Sequence, residues 1–131
     1  MQRRFIAMQR RLTHEAMKAL IASKRQGRLS RTHLIDVRGQ DEVQVTGLIP
    51  LAINIPLDQL ECALKNDQES FLNKYEAPKP LHSETLVMYC KMGSRAEQAA
   101  AIATQCGYHN TEVYLGGWDE WSNLSTKGKG V

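Results

Sequence analysis

The stretch Leu86-Val-Met-Tyr-Cys-Lys-Met-Gly-Ser-Arg95 constrains the fold more tightly than any other part of this chain. Residues 86–89 are a short, uniformly apolar run, the pattern of a strand buried in a parallel sheet. Cys90 closes the run, and Lys91, Met92 and Gly93 form a tight loop. Ser94 and Glu97 have the S-x-x-E spacing of a helix capping box. Alanines at 96, 99, 100, 101 and 103 favour a helix that Gly107 can stop. Strand, loop and helix in that order put one thiol where unpaired N–H groups and the positive end of a helix dipole converge. A thiolate is stabilised in such a place, and Lys91 and Arg95 add positive charge that also attracts an anionic substrate. Gly93 lets the backbone curl close to a ligand. A pre-formed thiolate needs no histidine as base. The competing reading is a buried, inert cysteine at a strand end.

The rest of the chain alternates between strand-like and helix-like segments. Thr13 can cap a helix whose apolar face carries Ala16, Met17, Leu20 and Ile21, with Gly27 as its stop. A short strand before it would fall at residues 5–8 or 11–12. Residues 33–37 are a second apolar run, containing Asp36 and followed by Arg38. Residues 39–42 read as a turn into a short helix, and residues 47–50 as a loop. Residues 52–55 form a third strand closed by Pro56, which is tolerated at a strand end. Leu57, Leu60, Ala63 and Leu64 have helical spacing. Phe71, Leu72 and Tyr75 suggest another helical turn, broken by Pro78 and Pro80. Residues 112–115 are a last strand, and Trp118 and Trp121 suit a short closing helix after Gly116-Gly117. Such alternation predicts an α/β domain with a parallel sheet and helices on both faces. Ligands then bind beyond the carboxyl ends of the strands, where Cys90 and Asp36 both fall.

With 131 residues the chain has room for one domain with a real core. No apolar run approaches the roughly 20 residues of a membrane-spanning helix. The net charge of +3 conceals an asymmetry: residues 1–31 hold nine Lys/Arg and one Glu, whereas residues 32–131 hold eight Lys/Arg and thirteen Asp/Glu. The basic excess is therefore an arm. No aromatic interleaving or binding motif supports nucleic acid as its partner. Its first eleven residues, rich in Arg and free of acids, have the composition of a mitochondrial presequence or of a plain basic extension. Cys62, Cys90 and Cys106 are an odd number without C-x-x-C spacing, which argues against a disulfide framework or a zinc site and favours a reducing compartment, cytoplasmic or mitochondrial. His14, His33, His82 and His109 show no ligand pairing, and neither metal nor cofactor is expected.

Four stretches together resemble the single-domain rhodaneses, the thiosulfate sulfurtransferase family. They are residues 34–38 with Glu42, residues 47–56, residues 87–95, and Gly107-Tyr108 through residues 114–121. The resemblance covers roughly residues 13–122. It implies a three-layer domain at residues 12–122, with a mostly parallel sheet of about five strands, between a basic extension at 1–11 and a flexible tail at 123–131. The family's Gly-His-Ile-Pro-Gly-Ala is here Gly47-Leu48-Ile49-Pro50-Leu51-Ala52, a departure in that loop but not at the thiol.

The resemblance further implies chemistry. Cys90 would take the outer sulfur of thiosulfate as a persulfide and pass it to a second nucleophile, cyanide or a thiol such as glutathione or thioredoxin. Lys91, Met92, Gly93, Ser94 and Arg95 would form the substrate cradle, with Lys91 and Arg95 as its charges. Asp36 and Arg38 match the family's Asp-x-Arg, with Arg38 and Glu42 expected as a structural ion pair and Asp36 as a supporting residue. A monomer is expected by analogy. The related phosphatases and arsenate reductases have five residues between Cys and Arg, whereas Cys90 and Arg95 have four, a narrower cradle suited to one sulfur. Mercaptopyruvate is the alternative donor, less suited to a loop with two cations. A persulfide carrier or a regulatory binding module is the non-enzymatic alternative.

Overall fold

The structure, a computed structural model, describes residues 10–129. Its elements run β1 (Arg10–Arg11), α1 (His14–Arg25), β2 (Thr32–Asp36), α2 (Gln40–Thr46), β3 (Ile53–Asn54), α3 (Leu57–Lys65), α4 (Gln68–Tyr75), β4 (Thr85–Tyr89), α5 (Ser94–Gln105), β5 (Thr111–Val113) and α6 (Gly117–Lys129). The strands form one sheet in the order β1-β5-β4-β2-β3, and every pair is parallel. The alternation of short apolar runs with helical segments thus yields the expected α/β domain. A strand at residues 5–8 would lie outside the described residues, as does most of the basic extension.

Side chains alternate across the sheet and divide the core in two. Leu34, Val87 and Tyr89 face α1 and α6, where they meet Met17, Leu20, Ile21, Tyr114 and the partly buried Trp118 and Trp121. Ile35, Leu86 and Met88 face the other way, against Leu60, Leu64, Phe71 and the alanines of α5. The register sets Leu34 beside Val87 and Ile35 beside Met88, so each layer is continuous across the two central strands. Ala96, Ala99, Ala100 and Ala103 are fully buried. Their small side chains let α5 lie close to the sheet, and this fixes the height of its N-terminus above the end of β4.

Two local expectations change. Ser94 does not cap α5. Gly93, at φ 85°, turns the chain one residue earlier and occupies the cap position. The Glu97 N–H then bonds Gly93 O at 3.0 Å, and the Glu97 carboxylate reaches out to Arg11 instead of back to Ser94. At the other end of the chain, α6 continues to Lys129, well into the polar stretch expected to be a flexible tail.

The strand order places a topological switch between β2 and β4. The chain leaves β2 for β3 on one side, then crosses back to β4 on the other. Loops diverge from the carboxyl ends of these neighbours, and the crevice between them is where such sheets bind ligands. Asp36 ends β2 and Cys90 follows β4, on the two sides of that crevice.

Candidate active site

The Cys90 loop is held from behind by the start of α6. Cys90 O accepts the Trp118 N–H at 2.8 Å, and Lys91 O accepts the Asp119 N–H at 3.2 Å. In a trans peptide the N–H points opposite to the carbonyl. Anchoring these two carbonyls on α6 therefore turns the N–H groups of Lys91 and Met92 away from it. Gly117 makes the approach possible. It sits at φ 62°, and a β-carbon there would collide with Cys90 O and lie 2.5 Å from Lys91 O.

Gly93 is buried against Leu115 and leads straight into α5. The N–H groups of Met92, Gly93, Arg95 and Ala96 have no acceptor among the described residues. Those of Arg95 and Ala96 are the orphan donors of the first helical turn. Four N–H groups and a helix N-terminus are thus gathered within six residues of Cys90, where they favour negative charge. Cys90 is only 2% exposed. Little of its surface is open to a ligand. Met92 and Ser94 are exposed on the same loop.

Both cations of the loop are already paired. Arg95 donates to the two oxygens of Glu42, at 2.6 and 3.0 Å. Glu42 also accepts the Gly39 N–H at 3.0 Å, which fixes it at the start of α2. The hydrogen bonds from Arg95 hold the Glu42 carboxyl down at about 2, against the upward push of partial burial. The same pair raises Arg95. Among the described residues Lys91 makes one side-chain contact, Nζ to Asp119 Oδ2 at 3.0 Å, with both side chains well exposed. A surface pair of that kind is worth roughly 0–1 kcal/mol.

The expected Arg38–Glu42 pair does not form. Arg38 turns back two residues onto Asp36. Its Nε lies 3.1 and 3.0 Å from the two carboxylate oxygens and Nη2 lies 2.7 Å from Oδ2. Nη1 donates to Thr46 Oγ1 and Nη2 to Gly47 O. The Trp118 ring covers the guanidinium, 5.0 Å from Cζ to the ring centre. Asp36 and Arg38 are both buried to within about 1%. Burial works against the charge on Arg38, and the hydrogen bonds and proximity of Asp36 outweigh it. The planar guanidinium has enough donors to satisfy all three neighbours at once, so it ties β2, the residue 46–47 turn and α6 together. Glu42 is released from Arg38 because Asp36 is nearer in sequence and already buried beside it.

Several contributors were not visible as site residues in the sequence. Asn54 donates to Asp36 O and Arg38 O, both at 2.9 Å, and fixes the turn after β2. Tyr89 accepts the Ile49 N–H at 3.0 Å, and its burial raises the phenol. Trp118 reads only as part of a closing helix, and neither Gly117 nor Asp119 stands out. Their signal was the Gly-Gly pair directly after a strand end on the ligand-binding edge. Cys106 caps the far end of α5, whose 12 residues separate it from the loop by about 18 Å. It is partly buried and Cys62 is exposed; burial raises the Cys106 thiol.

A model of the rhodanese-like domain family matches residues 13–124. The Drosophila melanogaster rhodanese domain-containing protein CG4456 is 46% identical over 90 residues, 69% of this chain and 81% of that one. The human thiosulfate:glutathione sulfurtransferase is 40% identical over 106 residues, 80% of this chain and 86% of that one. Among solved structures, the human single-domain sulfurtransferase TSTD1 superposes with a TM-score of 0.76 at 35% identity, covering 88% of this chain and 95% of that one.

Proposed function

The chain belongs to the rhodanese-like family and is a sulfurtransferase, and we propose that it moves the sulfane sulfur of thiosulfate to a thiol through a persulfide on Cys90. The observation that carries this reading is the position of Cys90: a nearly enclosed thiol at the end of β4, opening a loop whose N–H groups at Met92, Gly93, Arg95 and Ala96 have no acceptor among the described residues. A thiol so enclosed favours a small donor with an exposed terminal sulfur, and thiosulfate is one.

In the first step the Cys90 thiolate attacks that outer sulfur. A new S–S bond forms, the bond to the sulfonate breaks, and sulfite leaves with the bonding electron pair. The persulfide anion left on Cys90 carries the same charge as the thiolate it replaces. The loop N–H groups and the α5 N-terminus stabilise that charge throughout. In the second step an acceptor thiolate attacks the outer sulfur, forms its own persulfide and returns Cys90 as thiolate. Glutathione is the acceptor proposed first, supported by the name of the human relative; thioredoxin is the protein alternative. Lys91 to Arg95 form the cradle, and Asp36, Arg38 and Glu42 hold the elements that support it. Such chemistry needs Cys90 as a free thiol and so suits a reducing compartment, cytoplasmic or mitochondrial. Among the described residues no helix is long and apolar enough to cross a membrane. Single-turnover sulfite release tests the reading: about one sulfite per protein molecule is expected from the wild type and none from Cys90→Ser.

A further inference from the structure

We propose that Asp119 determines which donor the Cys90 loop accepts, because it holds the charge of Lys91 in a pair that a dianion displaces and a monoanion does not. The inference rests on the reading of Cys90 as the sulfur carrier.

The two cations of the loop are not equivalent. Arg95 is committed: both ends of its fork meet both oxygens of Glu42, and Glu42 is fixed in turn by Gly39. Breaking that contact would cost two charge-assisted hydrogen bonds in a half-buried setting. Lys91 has one contact, on a flexible stem, with its side chain 60% exposed. It is the cation of the loop that a ligand can recruit at little cost.

Asp119 is held independently of Lys91. It lies in the first turn of α6, where the helix dipole favours a carboxylate. Its own N–H is bonded to Lys91 O, and the preceding Trp118 N–H to Cys90 O. When Lys91 swings to a donor, Asp119 therefore stays beside the loop as a fixed negative charge.

This arrangement sets a charge requirement. A donor with one negative charge offers Lys91 what it already has in Asp119, and then meets that carboxylate uncompensated. A donor with two charges gives Lys91 a stronger partner and offsets the repulsion. Asp119 thus lowers the affinity for every anion, and lowers it less for a dianion once Lys91 is present to exchange. Removing its charge frees Lys91 for any anion, so the monoanion, which could not displace Asp119, gains more than the dianion, which already could.

The test compares thiosulfate, a dianion, with benzenethiosulfonate, a monoanion carrying the same terminal sulfur. Steady-state kinetics at constant ionic strength would be measured for the wild type, Asp119→Asn, Asp119→Glu, Lys91→Ala and the Lys91→Ala/Asp119→Asn double variant. Asp119→Asn should lower the KM for benzenethiosulfonate about three-fold, with kcat little changed and a smaller shift for thiosulfate. Asp119→Glu should restore the wild-type KM. In the Lys91→Ala background the Asn substitution should no longer favour the monoanion over the dianion. A purely supporting Asp119 would instead raise KM or lower kcat for both donors alike, and that result overturns the inference. So would the same preference for the monoanion in the Lys91→Ala background. If wild-type Cys90 takes no sulfur from either donor, the sulfur-carrier reading fails and the inference falls with it. If the persulfide forms but donor preference ignores Asp119, the inference alone is overturned.

Discussion

Arg95 and Glu42, 53 residues apart in sequence, meet in a two-pronged ion pair that joins the N-terminus of α5 to that of α2. The contact changes the meaning of the cysteine loop's second cation. Arg95 contributes less as a charge awaiting an anion than as a strut that fixes the first turn of α5. The orphan N–H groups beside Cys90 then keep one orientation whether or not a donor is bound, which is the preorganisation that charge-stabilising sites depend on.

The pair has a pH signature. Arg95 holds the Glu42 carboxyl at about 2, below its ordinary 4.5. A folded-state value below the unfolded one means that the stabilisation is fully present above about pH 4.5 and is lost as the pH falls towards 2. Both side chains are about a third exposed, so solvent screening limits the effect to about 1 kcal/mol. Glu42→Gln should lose about that much at neutral pH and show a flatter decline between pH 4.5 and 2 than the wild type. Chemical denaturation at several pH values checks both, and a variant with an unchanged acid limb would show the pair to be inert.

Asp36 and Arg38 present the opposite case, since both are buried. Arg38→Met leaves the Asp36 carboxylate enclosed without its counter-charge and should cost about 3–5 kcal/mol. Removing both charges together, as Asp36→Asn/Arg38→Met, should cost clearly less than the sum of the single changes. Arg38→Lys should recover only part of the loss, because an ammonium cannot serve Asp36, Thr46 and Gly47 together. Urea midpoints for the wild type, Asp36→Asn, Arg38→Met and the double variant form the cycle; strict additivity would contradict the coupling.

Gly117 and Gly27 offer a controlled comparison. Both have positive φ, but an added β-carbon meets nothing within 4 Å at Gly27 and collides with the Cys90 and Lys91 carbonyls at Gly117. Gly27→Ala should cost only the backbone strain, about 1–2 kcal/mol, and leave sulfur transfer intact. Gly117→Ala should cost more and should also slow persulfide formation, by at least about ten-fold, because the anchored carbonyls must shift. Equal stability and equal rates in the two variants would show that the α6 anchor does not shape the loop.

Leu51 stands at φ 72° and is 48% exposed, where the family pattern has glycine. A leucine gains little burial there and bears the left-handed strain. Leu51→Gly should stabilise the domain by roughly 0.5–1 kcal/mol, the strain relieved being partly offset by the added freedom of the unfolded chain. A fall in Tm on this substitution would mean that Leu51 makes a contact that outweighs its conformation.

What was legible in the sequence follows physical range. The strand ending at Cys90, the helix starting after Gly93 and the stop at Gly107 are local patterns, and short-range sterics and periodicity carry them. The sheet follows from alternation, and the crevice from strand order. The pairing of charges was not legible. Arg38 had Asp36 two residues before it and Glu42 four after. Choosing between them required knowing that Asp36 is buried at a strand end and that α5 would deliver Arg95 to Glu42. Lys91 and Asp119 are likewise joined only because the sheet brings β4 and β5 side by side. Ser94 and Glu97 had the spacing of a capping box, but the left-handed turn at Gly93 moved the helix start and the motif did not form.

The proposed function turns on Cys90 as the carrier of the transferred sulfur. Intact-mass spectrometry after incubation with thiosulfate tests it most directly, with the wild type beside Cys90→Ser, Cys62→Ser and Cys106→Ser. The expected result is an added mass of one sulfur atom on the wild type and on the Cys62 and Cys106 variants, removed by glutathione, and none on Cys90→Ser. Equal sulfur gain by Cys90→Ser, or no gain by any of the four proteins, would contradict the account.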